Sequence, residues 1–231
     1  MSLRKRYFIA GTDTDAGKTL VACGLLVAAA ERGLRTMALK PLAAGAERVD
    51  QQLRNGDALQ LMAAMSESLS YEQVNPVVFA EPIAPHIAAE RAGRRLTAGQ
   101  LAGFCRGAMM RSSDLLLVEG AGGWRVPLNQ RETLADLALA LKLPVVLVVG
   151  MKLGCINHAL LTVEAIRNDG LPLAGWVANH IDAGMACPEE NLASLRSLIP
   201  APCLGVVPPL GSQAVASDVS PYLDLSPLLA D

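Results

Sequence analysis

The run Gly11-Thr12-Asp13-Thr14-Asp15-Ala16-Gly17-Lys18-Thr19 sets a lysine and a threonine directly behind a glycine. It follows the apolar segment Tyr7–Ala10 and precedes an apolar stretch that starts near Leu20. Strand, glycine-containing turn and helix is the setting in which Gly-Lys-Thr holds phosphate. Turn N–H groups and the helix N-terminus cradle phosphate oxygens. Lys18 then reaches the β- and γ-phosphates, and the Thr19 hydroxyl completes a Mg²⁺ shell. The strict pattern asks for glycine five residues before Gly17, but that residue is Thr12 and Gly11 stands one position early. A tight strand-to-helix turn in a protein without nucleotide is the competing reading of the same residues.

Two more apolar segments end in charge. Thr36–Leu39 runs into Lys40-Pro41-Leu42-Ala43-Ala44-Gly45, and Leu115–Val118 runs into Glu119-Gly120-Ala121-Gly122-Gly123. The carboxyl ends of sheet strands are where open α/β folds bind ligands. A lysine there must be solvated or paired, so Lys40 either faces phosphate or an anionic intermediate, or simply emerges into solvent. Glu119 is placed to bind Mg²⁺ directly or through water, and the glycines after it permit close approach. Asp57, in Arg54-Asn55-Gly56-Asp57, reads as an ordinary helix-start acid unless Thr19 and Glu119 need a third oxygen donor beside them. Asn179 ends the segment Trp176–Ala178, where its amide offers an adenine edge both a donor and an acceptor; His180 follows it. Met151-Lys152-Leu153-Gly154-Cys155-Ile156-Asn157 opens a helix whose free N–H groups could hold a carboxylate. His86 and His158 are isolated and fit no zinc spacing.

Six strands are expected to position these groups: Tyr7–Ala10, Thr36–Leu39, Leu115–Val118, Val145–Val149, Leu173–Ala178 and Leu204–Val207. Helical spacing of apolar residues covers Leu20–Arg32, Leu53–Met65, Thr97–Arg111, Thr133–Leu141, Ile156–Asn168 and Glu189–Leu198. Their alternation implies crossover units and a parallel sheet, with Gly33 and Gly170 as helix stops. Ser70–Arg95 carries Pro76, Pro82 and Pro85, lacks periodicity, and reads as a surface connection framing a cleft. The tail Pro208–Asp231 is proline-interrupted, with one short helix near Leu223–Leu229. No repeat or low-complexity linker divides the chain, which makes residues 1–231 a single domain.

Of the 231 residues, 52% are hydrophobic and 18% charged, a balance that suits a buried parallel sheet. A net charge of −2 and 3% aromatics argue against nucleic acid as a partner. The basic start Met1–Arg6 is followed by too few apolar residues for a signal peptide. No apolar run is long enough to span a bilayer. Five widely spaced cysteines without a Cys-x-x-Cys pair read as reduced thiols of a cytoplasmic protein.

Over nearly its whole length the chain resembles the dethiobiotin synthetases, ATP-dependent ligases of biotin biosynthesis. The resemblance lies in Gly11–Thr19, Ala38–Gly45, Asn55–Leu61, Glu81–Ala88, Val118–Leu128, Gly150–Leu161 and Trp176–Gly184. It implies a phosphate-loop α/β fold with a mostly parallel central sheet, helices on both faces, and a homodimer with sites near the interface. The implied substrates are 7,8-diaminononanoate, CO₂ or bicarbonate, and ATP with Mg²⁺. In that reaction an amine captures CO₂ as a carbamate, ATP converts the carbamate to a mixed anhydride, and the second amine closes the cyclic urea.

By resemblance, Lys18 and Lys40 are the catalytic cations, and Thr19, Asp57 and Glu119 hold Mg²⁺. Asp15, Ala16, Gly17, Lys18, Thr19 and Leu20 form the nucleotide loop, joined by Gly120, Ala121 and Gly122. Asn179, His180, Val207, Pro208 and Pro209 surround adenine. Thr14, Lys40 and Ala44 meet the diamine, together with Lys152, Leu153, Gly154, Cys155 and Asn157 from the partner subunit. The family usually has serine where Ala44 stands, glutamate at Asp15 and often an aromatic in the Pro208-Pro209 segment. A phosphate-loop ATPase that works as a conformational switch or metal chaperone is the rival reading. Such proteins often carry a second lysine in the loop, where this chain has Asp13.

Overall fold

The structure is a computed structural model and describes residues 4–211 and 213–230, so the start of the basic segment, Met1–Leu3, lies outside it. In chain order the elements are β1 (Lys5–Gly11), α1 (Lys18–Ala30), β2 (Thr36–Leu39), β3 (Leu42–Ala43), β4 (Glu47–Val49), β5 (Gln52–Arg54), α2 (Gly56–Ala64), α3 (Tyr71–Val74), β6 (Val77–Val78), α4 (Pro85–Arg91) and α5 (Ala98–Ala108). Next come β7 (Leu115–Glu119), α6 (Leu134–Leu141), β8 (Val145–Met151), α7 (Cys155–Asn168), β9 (Leu173–His180), α8 (Pro188–Leu198), β10 (Cys203–Val207), α9 (Ala216–Val219), a 3₁₀ turn (Ser220–Tyr222) and α10 (Ser226–Leu229).

Six strands form one sheet in the order β10-β9-β8-β1-β7-β2, and every neighbouring pair is parallel. All residues of β7 and β8 are buried. Successive side chains of a strand point to opposite faces, so both faces of the sheet are covered, as a parallel sheet requires. The expected six strands are the observed six, each within two or three residues of its expected ends. Helix ends also obey the local chemistry. Thr97 Oγ1 caps α5 by accepting from Gln100 N at 3.1 Å. At the start of α6, Asp136 Oδ2 accepts from Thr133 N at 2.6 Å, the return arm of a capping box. Beyond α1 and α7 the chain leaves the helix through left-handed Gly33 and Gly170, with φ of 77° and 80°.

Two segments correct the expectation. Leu53 belongs to β5, not to a helix. Residues 47–54 form an antiparallel hairpin turned by Asp50 and Gln51, both with positive φ, and α2 begins only at Gly56 behind the Asn55 cap. Its turn carries no glycine, the usual sign of such a turn. Ser70–Arg95 is not an unpatterned connection, because it supplies α3, β6 and α4, and β6 pairs with β3. The tail holds three short helical pieces instead of one.

Candidate functional site at the carboxyl edge of the sheet

β1, β2 and β7 lie side by side and end at the same edge, so the loops that leave their carboxyl ends are brought together. The loop after β1 turns through Asp15 (φ 58°) and Gly17 (φ 86°) into α1. Gly17 is required twice over. Its φ is left-handed, and a Cβ there would stand 2.0 Å from Asn179 Nδ2. That amide donates to Ala16 O at 2.9 Å, so the end of β9 braces the loop from beneath. Thr12, the residue in the place of the usual first glycine, accepts a hydrogen bond from Gly150 N of β8 at 3.2 Å. Gly11 gives room on the other side, since a Cβ there would meet Lys18 Cδ and Nζ at 3.0 Å. No side chain caps the N-terminus of α1, which leaves its first N–H groups available to an anion.

Four charged groups converge beside this loop. Lys40, 3% exposed, donates from Nζ to Asp57 Oδ2 at 2.9 Å, Glu119 Oε1 at 2.5 Å and Gly120 O at 3.2 Å. Thr19 Oγ1 donates to the same Glu119 Oε1 at 2.8 Å. Lys18, 6% exposed, donates from Nζ to Asp13 O at 3.0 Å. Burial, helped by the nearby Lys40 charge, pulls the Lys18 ammonium below its usual value. Burial acts on Lys40 in the same direction, but the Glu119 and Asp57 charges outweigh it and hold Lys40 above the usual value. Burial would raise Asp57, yet the Lys40 charge and hydrogen bond bring it below the usual carboxylate range.

Glu119 Oε2 is buried without a hydrogen-bond partner, and an unpaired buried carboxylate oxygen is costly unless a cation or donor meets it. Among the described residues no cluster of three or more His, Cys, Asp and Glu could hold a metal. Two carboxylates and one hydroxyl suit Mg²⁺, which keeps several waters and takes one or two carboxylates beside substrate phosphates.

A cavity of about 1660 Å³ opens over this cluster and is lined by Thr14, Lys18, Thr19, Lys40, Asp57 and Glu119. Asp15, Gly17, Leu20, Ala44, Ala121 and Gly122 also face it. Ala16 is wholly buried. Gly120 contributes its carbonyl to Lys40. Sequence reasoning gave no role to Arg54, Ile83, Arg125 and Val126, which line the same cavity. Arg54 stacks its guanidinium 4.0 Å from the Tyr71 ring centre, and Arg125 pairs with Asp169 at 2.8 Å. The proline-rich Glu81–Pro85 stretch does frame the cleft, through Pro82 and Pro85.

The remaining candidates lie elsewhere. His180, Pro208 and Pro209 line a second cavity of about 310 Å³, whereas the Val207 side chain is buried. The Asn179 side chain is engaged with the phosphate loop. Lys152, Leu153, Gly154, Cys155 and Asn157 are absent from both cavity walls of their own chain. Lys152 Nζ pairs with Asp13 Oδ2 at 3.0 Å, Leu153 is 88% exposed, and the Cys155 side chain is buried.

The chain has relatives of high identity. The protein named ATP-dependent dethiobiotin synthetase BioD of Cellvibrio japonicus is 66% identical over 226 residues, covering 98% of both chains. The chain belongs to the dethiobiotin synthetase family. A member from Pseudomonas aeruginosa is 58% identical over 222 residues, covering 96% of this chain and 97% of its own. Another from Salmonella typhi is 48% identical, covering 98% and 99%. The family described as AAA domain matches residues 5–214. The structure of a ParA family ATPase from Chlorobium tepidum superposes with a TM-score of 0.53 at 11% identity, covering 91% of this chain and 86% of that one. At that identity the likeness extends to the fold alone, the α/β architecture that this dethiobiotin synthetase family member shares with it.

Proposed function

We propose that this chain makes dethiobiotin from 7,8-diaminononanoate, CO₂ and ATP, with ADP and phosphate released. The observation that carries the reading is the convergence of Lys18 and Lys40 with Thr19, Asp57 and Glu119 at one wall of a cavity with room for a second substrate. The phosphate loop and Lys18 hold the triphosphate. Lys40 is a buried cation kept charged by two carboxylates, fixed in place before any substrate arrives. Such a charge stabilises negative charge that develops on the transferring phosphoryl group and on the carbamate that receives it. Thr19, Asp57 and Glu119 would hold Mg²⁺, with the unpaired Glu119 oxygen as the donor most in need of it. Bound there, the ion neutralises phosphate charge.

Thr14 and Ala44 border the space for the diamine. Asn179, His180, Pro208, Pro209 and the Val207 backbone make the adenine end. The Lys152–Asn157 turn serves the diamine across a homodimer interface. The exposed Leu153 and Leu161 beside it support this. One continuous hydrophobic core supports a single domain, and five unpaired cysteines suit a cytoplasmic setting. Among the described residues no helix is long and apolar enough to cross a membrane.

The test is ADP release with ATP, Mg²⁺ and bicarbonate, with and without the diamine, and with the product identified by mass. Diamine-dependent ADP release with a product of dethiobiotin mass is expected. ADP release indifferent to the diamine would instead favour a switch ATPase. Against that reading stands Asp13, a carboxylate engaged by Lys152 in the position where such switches often carry a lysine.

A further inference from the structure

We propose that Tyr71 and Asn75 are positioning residues, which fix Lys40 and Asp57 against each other through one buried chain of hydrogen bonds. The inference rests on the roles proposed above for Lys40 and Asp57. The last ladder pair of β2 is Leu39 with Val118, so Lys40 lies one residue past the sheet. Pro41 comes next and has no N–H to give. At that point Val74 and Asn75 take over from the ladder. Lys40 N donates to Val74 O at 2.9 Å, and Asn75 Nδ2 donates to Lys40 O at 2.6 Å. The Lys40 residue is thus gripped at both its donor and its acceptor.

The chain of bonds continues to Asp57. Tyr71 Oη donates to Asn75 Oδ1 at 2.8 Å and accepts from Asn55 N at 2.7 Å. Asn55 is the cap of α2: its Oδ1 accepts from Ala58 N at 3.3 Å, and Asp57 lies in the first turn of that helix. Asn55, Tyr71 and Asn75 are 6%, 7% and 2% exposed, so water cannot stand in for a missing partner. Burial pushes the Tyr71 phenol up, which keeps it protonated and able to donate to Asn75 while it accepts from Asn55. Among the described residues the hydrogen bonds of Tyr71 and Asn75 go to neither acid nor to the Lys40 ammonium. They set the distance between the two backbones from which those side chains reach.

Tyr71→Phe removes the hydroxyl and keeps the ring under Arg54. Asn75→Ser shortens the arm that holds the Lys40 carbonyl. Both are measured in the full chain, with far-UV circular dichroism at the assay temperature to verify folding. Misplacing a catalytic group by about an ångström costs up to about a hundredfold, so turnover at saturating substrates should fall about ten- to a hundredfold. The affinity for ATP should stay within about threefold, because phosphate-loop contacts are untouched. A folded Tyr71→Phe variant with wild-type turnover would overturn the inference. So would a loss confined to KM, and so would unfolding of both variants, which would make the hydrogen-bond chain an element of the core alone. If the wild-type protein forms no dethiobiotin, the functional reading fails; if it does and the folded variants match it, only this inference fails.

Discussion

At the scale of single residues the site turns on Lys40, a lysine with almost no exposure and two carboxylates on one ammonium. Replacing it with Gln should leave ATP binding measurable and lower turnover by at least about a hundredfold, since a charge in the role proposed for Lys40 acts on the transition state more than on the ground state. Isothermal titration with a non-hydrolysable ATP analogue, beside steady-state turnover, separates the two. Loss of ATP affinity with undiminished turnover at saturation would make Lys40 a binding residue only. The same ion pair sets a pH dependence. Asp57 titrates lower in the folded chain than its ordinary 3.8, so its contribution to stability is complete above that value and fades as pH falls through the folded one. Lys40 titrates higher than its ordinary 10.5, so its contribution is complete below that value and fades in stronger alkali. The melting-temperature difference between wild type and Asp57→Asn should therefore be flat from about pH 5 to 9 and shrink in acid. A difference that changes through neutral pH would contradict the assignment.

At the scale of elements the phosphate loop is held by its neighbours. β8 supplies Gly150 N to Thr12, and β9 supplies Asn179 to Ala16 and the underside of Gly17. Gly17→Ala meets both a left-handed φ, which costs an L-residue about 1–2 kcal/mol, and the Asn179 amide in its path. The variant should keep its far-UV spectrum, lose at least about tenfold in ATP affinity and melt at a lower temperature. Retention of wild-type affinity would show that the loop can rearrange without consequence for phosphate. The hairpin of β4 and β5 matters at this scale too, because it leads the chain into Asn55 and fixes where α2 starts. Its Asp50-Gln51 turn carries no glycine, so the local sequence gives no hairpin signal.

At the scale of the whole molecule the Lys152–Asn157 turn reaches its own chain's loop through the Lys152–Asp13 pair, while Leu153 stands 88% exposed within it. If the homodimer proposed above is closed by this turn, Leu153→Asp should shift sedimentation toward monomer and lower turnover in step, because a charge at an apolar interface loses its solvation. A dimer that persists with unchanged turnover would place the interface, or the diamine contact, elsewhere.

The sequence alone determined the six strands, because apolar runs of four to six residues bounded by glycine, proline and charge are too short for helices and suit strands buried on both faces. It also determined the chemistry available at their ends: Lys18 and Thr19 behind Gly17, Lys40 after Leu39, and Glu119 before its glycines. Local pattern could not rank Asp57, since an acid in the first turn of a helix has an ordinary reason to be there. Only the tertiary structure brought it to 2.9 Å from Lys40. Thr12 makes the loop a variant of the strict pattern, and only the fold supplies its partner, Gly150 N of β8. Tyr71, Asn75, Arg54 and Arg125 carried no signal, because their partners are distant in sequence or lie in segments with no periodicity. Strand order decides such matters. It is set by which crossovers cover both faces of the sheet, and it alone puts the ends of β1, β7 and β2 side by side.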